Sequence, residues 1–308
     1  MNTKRPLTRV VLITAAVTVA ALGIALLIGL SAGGFRWDTF GGAGTPVDEK
    51  KSVSLDGVTS LTIEGVSDDV TLADAAGTTL DAWLHGNASG AAANEPRLAV
   101  ERNGAAVTVR VDRPRIVIVG FNWSNVRLDI GLPKGYAGDL SVRTVSGTIQ
   151  LGDHRYAALT LNTTSGDEKI GTVTAASFKA HSTSGNVRAE SVAAKSADIS
   201  TTSGDVRVTA LNGDTTLHST SGSLDVGFTA VPSRVDAGNT SGGVTLRFPA
   251  DAQFMLDARS TSGGVTCDFP ITIAQGPGSG RRSLSGTVGT GTARVTMRTT
   301  SGDIRIQK

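Results

Sequence analysis

Between Leu140 and Ile306 apolar side chains return at every second position, lose phase at a Ser-Gly dipeptide, and resume one residue out of step. The dipeptide starts at Ser146, Ser165, Ser184, Ser203, Ser221, Ser241, Ser262 and Ser301, at intervals of 19, 19, 19, 18, 20, 21 and 39. Apolar side chains stand mostly six and four residues before each Ser, as at Leu159 and Leu161, and three and five after it, as at Val206 and Val208. A period of two marks a strand with one buried face. The slip in parity places a bend at Ser-Gly, where Gly permits it. Glu168 falls on an inward position and predicts a local irregularity in its coil.

Two short strands per repeat, stacked about 4.8 Å apart, predict an all-β chain: a single-strand-repeat β-solenoid of about 19 residues per coil over residues 140–308. Thr or Ser two before the bend (Thr144, Thr163, Ser182, Thr201) stacks at the corner and hydrogen-bonds along the ladder. The interval of 39 holds two coils, with Ser285-Gly286 as an irregular turn between them. An antiparallel sandwich fits less well, because hairpins do not need one residue class at one phase eight times. Residues 48–139 alternate less regularly, as in Leu61–Val66, Leu80–Leu84 and Val107–Val111, and Asn103-Gly104 signals a hairpin. This region, with Trp83 and Trp123, is expected to cap the stack against edge-to-edge growth.

Ahead of the strands the pattern changes. Val10 to Leu30 is 21 residues without a charge; as a helix this spans roughly 30 Å, a bilayer core. Lys4, Arg5 and Arg9 precede it, which predicts a cytoplasmic tail (1–9), a transmembrane helix (10–30), a linker (31–47) and an extracytoplasmic remainder of a bacterial cell-membrane protein. A cleaved signal peptide is the competing reading, but its apolar core is usually only about 7–15 residues. Without those three cations the remainder has 26 basic against 27 acidic residues, so the net charge of +2 gives no basis for nucleic-acid binding.

Composition agrees with the strands. Gly and Thr each number 38, aromatics make up 4 %, and the one Cys cannot pair within the chain. Few aromatics suit a thin core, and one Cys excludes a disulfide scaffold and zinc fingers. No catalytic, cofactor-binding or metal-binding residue is expected, nor any cofactor. Asp167, Asp205 and Asp303 sit at turns on separate coils, and turn Asp serves the backbone. His181 and His218 lie two coils apart, roughly 10 Å, too far to share a zinc. Cys267 is expected as a small buried hydrophobe. A possible anion-binding ladder remains: Lys169, Arg188 and Arg207, each four after its Ser on successive coils. Like charges on neighbouring strands repel, so the ladder needs an offset or an anionic partner.

The Thr-Thr-Ser-Gly-Asp-Val-Arg-Val coil at Thr201–Val208, its counterpart at Thr299–Ile306, Gly131-Leu132-Pro133 before the first coil and Ser285 to Gly291 before the last resemble a bacterial adhesin-like family of unknown function with a Toastrack-type β-repeat domain. The resemblance covers residues 53 to 308 and implies an envelope protein, often membrane-tethered, with adhesion or membrane-stress sensing as expected roles; it carries over no catalytic residue. The sequence thus points to a non-enzymatic, membrane-anchored module that binds or senses an envelope component, with a cell-wall or surface polyanion as partner. The alternatives are a stress-sensing accessory acting through a membrane signalling protein, and a polysaccharide-active enzyme, which the missing acid/base cluster disfavours.

Overall fold

Alternation in the sequence becomes alternation in burial: along Ala158–Thr163, Leu159, Leu161 and Thr163 face inward and the residues between them stay half-exposed. The computed structural model describes residues 45–88, 95–113, 124–273 and 280–308, and Thr45–Lys308 forms one compact unit. The helix expected at 10–30, its flanks, Trp123 and residues 276–279 lie outside the described residues. Among the described residues no helix is long and apolar enough to cross a membrane.

Strands before the bend pair in parallel with one another, and so do strands after it. Leu159 lies opposite Leu140 and Phe178, and Val187 opposite Glu168 and Val206. The offset is 19 residues through these levels; it is 18 from Val206 to Leu224 and 20 from Leu224 to Val244. The core is two columns from each half-coil, represented by Leu140, Val142, Ile149 and Leu151, all at most 2 % exposed. Glu168 corrects the expected irregularity. It keeps register with Ile149 and Val187, because ladder bonds such as Glu168 N–H to the Asn186 carbonyl (2.8 Å) fix the backbone whatever the side chain is.

Glycine has a different role at the corner from the one expected. A Cβ on Gly185 would stand closer to the Gly166 carbonyl oxygen than non-bonded atoms can approach, and Gly166, Gly204, Gly222, Gly242, Gly302 and Gly263 face the same obstacle one level down. The column is glycine because successive corners touch, and most of its members do not have positive φ. The hydroxyls two before the bend are buried, as expected, and serve this corner. Thr163 Oγ1 accepts from Gly166 N–H (2.9 Å), Ser182 Oγ accepts from Gly185 N–H (2.7 Å), and Ser260 Oγ donates to the Gly302 carbonyl (2.9 Å). At the first level the motif reads Ser67-Asp68. Asp68 is fully buried, accepts from Val66 N–H and pairs with Arg113; it stands where the following corners have Gly.

The ends of the stack do not follow chain order. The final coil, Arg294–Ser301 with Ile304–Gln307, lies between coil 234–247 and coil 254–267: Ser301 pairs with both Ser241 and Ser262. Ser283–Val288 and Ile271–Ile273 then run antiparallel on the outside. Gly286 therefore lies within a strand opposite Leu256 and Ile273, which corrects the expected turn. The other end is built in the same way. Ser60–Glu64 sits between Ala106–Asp112 and Asp139–Thr144, and Asp69–Ala75 sits between Ser124–Pro133 and Ile149–Leu151. Thr79–Ala88 and Thr45–Ser54 extend it antiparallel, and the Glu49 carboxylate accepts from Leu98 N–H of the neighbouring edge strand (2.8 Å). Side-chain capping of one edge strand by another blunts an exposed row of donors.

Candidate functional site

The sheet that follows the bend carries the candidate site on its outer face. Lys169 pairs with Arg188 and Arg188 with Arg207, so the ladder read from the sequence stands in register on three adjacent strands. Parity directs these side chains outward between the buried columns at Glu168, Val187 and Val206 and at Ile170, Ala189 and Val208. The repulsion is partly offset. Arg188 reaches Asp167 (3.3 Å) and Arg207 reaches Asp225 (3.7 Å), whereas Lys169 has no ion-pair partner among the described residues. The three cations line an open hollow of about 570 Å³ with Gln150, Glu190 and Thr209.

A second hollow of about 680 Å³ continues the first, sharing Gln150 and Lys169. Strand pairing brings Trp83, Asp129, Thr71, Gln150, Lys169, Arg188 and Arg207 into one line across seven neighbouring strands. Six steps between strands give the line a length of about 29 Å. Ala73, Gly131 and Gly171 border it, and their small or absent side chains leave the face concave.

Trp83 belongs to the region expected to cap the stack, and its strand does lie at that end. Its side chain is on the outer face, 38 % exposed, because its position in Leu80-Asp-Ala-Trp-Leu has the parity opposite to the buried Leu80, Ala82 and Leu84. Its ring is fixed on several sides. Nε1 donates to Asp48 (2.7 Å), His85 stacks on it at 4.0 Å, and the Lys50 ammonium stands 4.4 Å from the ring centroid. His85 in turn bonds Asp129 (2.8 Å). Sequence reading missed Trp83, Asp129, Thr71 and Gln150; outward parity marks each, but the pairing of Thr79–Ala88 with Ser124–Pro133 that aligns them is not periodic.

The other singled-out residues are structural. Asp167 Oδ1 accepts from Asn186 N–H (2.9 Å), Asp205 Oδ1 from Ser223 N–H (2.7 Å) and Asp303 Oδ1 from Gly264 N–H (2.9 Å). Each carboxylate therefore binds the next level and not its own turn. Burial works to raise the Asp167 carboxyl, but hydrogen bonds from Asn186 and the nearby Arg188 hold it below the usual range. His181 Nδ1 bonds Ser200 Oγ (2.6 Å), and among the described residues no group of three His, Cys, Asp or Glu could hold a metal. Cys267 is half-buried, since its strand is the last of its sheet, and burial pushes its thiol up. Glu168 is fully buried with neither carboxylate oxygen bonded, and burial pushes it up to about 8.

Solved structures to which the chain is similar include a candidate adhesin from Parabacteroides distasonis (12 % identity, 86 % of this chain and 97 % of that one, TM-score 0.44). Another is a candidate adhesin from Bacteroides fragilis (12 %, 85 % and 97 %, TM-score 0.38). A third is a candidate lipid-binding protein from Parabacteroides distasonis (12 %, 86 % and 98 %, TM-score 0.40). No curated protein sequence matches the chain. The Toastrack DUF4097 family matches residues 58–307, and the chain belongs to that family.

Proposed function

We propose that this chain is a non-enzymatic β-solenoid module, tethered to the bacterial cell membrane by residues 10–30, that binds an anionic polymer of the cell envelope with its outer furrow. The observation that carries this reading is the in-register stack of Lys169, Arg188 and Arg207 in an open hollow. Three cations at strand spacing repel one another, so the free protein holds a cost that an anion spanning the three strands removes. Lys169, which has no ion-pair partner among the described residues, is the cation of the three that a ligand need not draw from an acid.

Replacing Lys169, Arg188 and Arg207 together with Gln in the full-length, detergent-solubilised protein should weaken its binding to isolated cell-wall polyanion by roughly tenfold or more. It should also flatten the salt dependence of binding. Unchanged affinity in the triple variant rejects the reading. Protease accessibility in intact spheroplasts tests the tether: the bulk of the chain should be cleaved from outside.

A further inference from the structure

We infer that the line from Trp83 to Arg207 is a single binding track for an acidic polysaccharide, with an uncharged or amino sugar at the Trp83 end and its acid groups over the cations. This rests on the anionic-polymer reading above and names its chemical class. The track crosses seven strands in register and is about 29 Å long, a length that suits an extended polymer better than a small molecule. Its chemistry changes along the way. Trp83 offers apolar surface in a position fixed by Asp48, His85 and Lys50; Thr71 and Gln150 offer neutral donors and acceptors; Lys169, Arg188 and Arg207 offer only positive donors.

A simple polyanion such as polyphosphate meets the carboxylates of Asp69, Asp81 and Asp129 along the first half of that series, where the Lys50 ammonium is engaged on the Trp83 ring. A sugar chain uses both halves. The C–H groups of a pyranose pack on the part of the Trp83 ring that His85 and Lys50 leave exposed, its hydroxyls bond amide and hydroxyl groups, and its carboxylates meet the ammonium and guanidinium groups. The low border at Ala73, Gly131 and Gly171 leaves room for the thickness of a ring. A peptide is a poorer occupant, because it binds sheets through free edges, and the strands under this track are paired on both sides.

Calorimetric titration of the full-length protein in non-ionic detergent tests this, using three probes. They are a hexasaccharide alternating glucuronic acid with N-acetylglucosamine, linear polyphosphate of comparable charge, and an uncharged N-acetylglucosamine hexamer. The acidic hexasaccharide should bind tightest. Trp83→Ala and Gln150→Ala, both at exposed positions, should each weaken it roughly tenfold while leaving polyphosphate binding within about twofold. Trp83→Phe should retain most of the affinity, which separates loss of the ring from loss of folding. If both alanine variants bind the hexasaccharide as the parent does, or polyphosphate binds as tightly as the sugar, the glycan track is overturned and the polyanion reading stands. If the Gln triple variant binds both charged probes unchanged, or the parent binds neither, both readings fall.

Discussion

Two residues show how far a side chain at a repeated position is dictated by its neighbours. Gly185 has no room for a Cβ because the carbonyl of Gly166 occupies that space; Gly185→Ala should cost roughly 2–4 kcal/mol. Gly135→Ala, where a Cβ meets nothing within 4 Å, should lie within about 0.5 kcal/mol of the parent. Urea unfolding of the two variants checks the contrast. Glu168 has the opposite character: the position tolerates it at a cost. Its carboxyl is protonated in the fold up to about pH 8, against 4.5 in an open chain, because burial disfavours the charge. Below the lower value both states hold the proton, and only the pH-independent cost of burying an unbonded acid remains. Between the two values the unfolded chain releases a proton that the fold keeps, so stability falls as pH rises. Glu168→Val, which matches Val187 beside it, should raise the melting temperature, and the gain should be greater at pH 8 than at pH 5. An equal gain at both pH values removes this account.

At the scale of the element, the coil is held by polar ladders as well as by its core. The Asp column ties each level to the next. Asp205→Ala strips the acceptor from Ser223 N–H and should cost about 1 kcal/mol, with faster hydrogen exchange at Ser223. Asp167 titrates in the sense opposite to Glu168. Its lowered carboxyl contributes stability above the carboxylate range of the unfolded chain, and that contribution is lost as pH falls through its folded value. The effect is small because the group is partly exposed. Thr163→Val keeps shape but removes the acceptor for the buried Gly166 N–H, a loss of roughly 1–2 kcal/mol. This layer was legible in part. The phase of Leu159, Leu161 and Thr163 could be read directly, since burial imposes a period of two. The reason for glycine could not, because a carbonyl one level away, nineteen residues back in sequence, excludes the side chain.

For the whole molecule the decisive feature is that both ends are interleaved. The coil at Arg294–Gln307 fills the space between coils 234–247 and 254–267, so it follows both in sequence and yet lies between them in the stack. Ending the chain after Thr290 should therefore expose two coils: amide protection should fall in Phe254–Ser262 and in Arg234–Ser241 alike. A stack in chain order would lose protection only in the coil next to the cut, and that outcome would contradict the interleaving. The sequence by itself determined the all-β class, the nineteen-residue rung, the inward columns and the register of Lys169, Arg188 and Arg207, because each follows from local alternation and a constant repeat length. Only the tertiary structure decided which coil lies beside which at the ends, why Ser67-Asp68 replaces Ser-Gly at the first level, and that Trp83 and Gln150 continue the cationic ladder. Those pairings join segments 39 to 79 residues apart, as at Ser262–Ser301 and Val70–Ile149. They are chosen by which exposed edges can be covered, a property of the assembled sheet that no local pattern encodes.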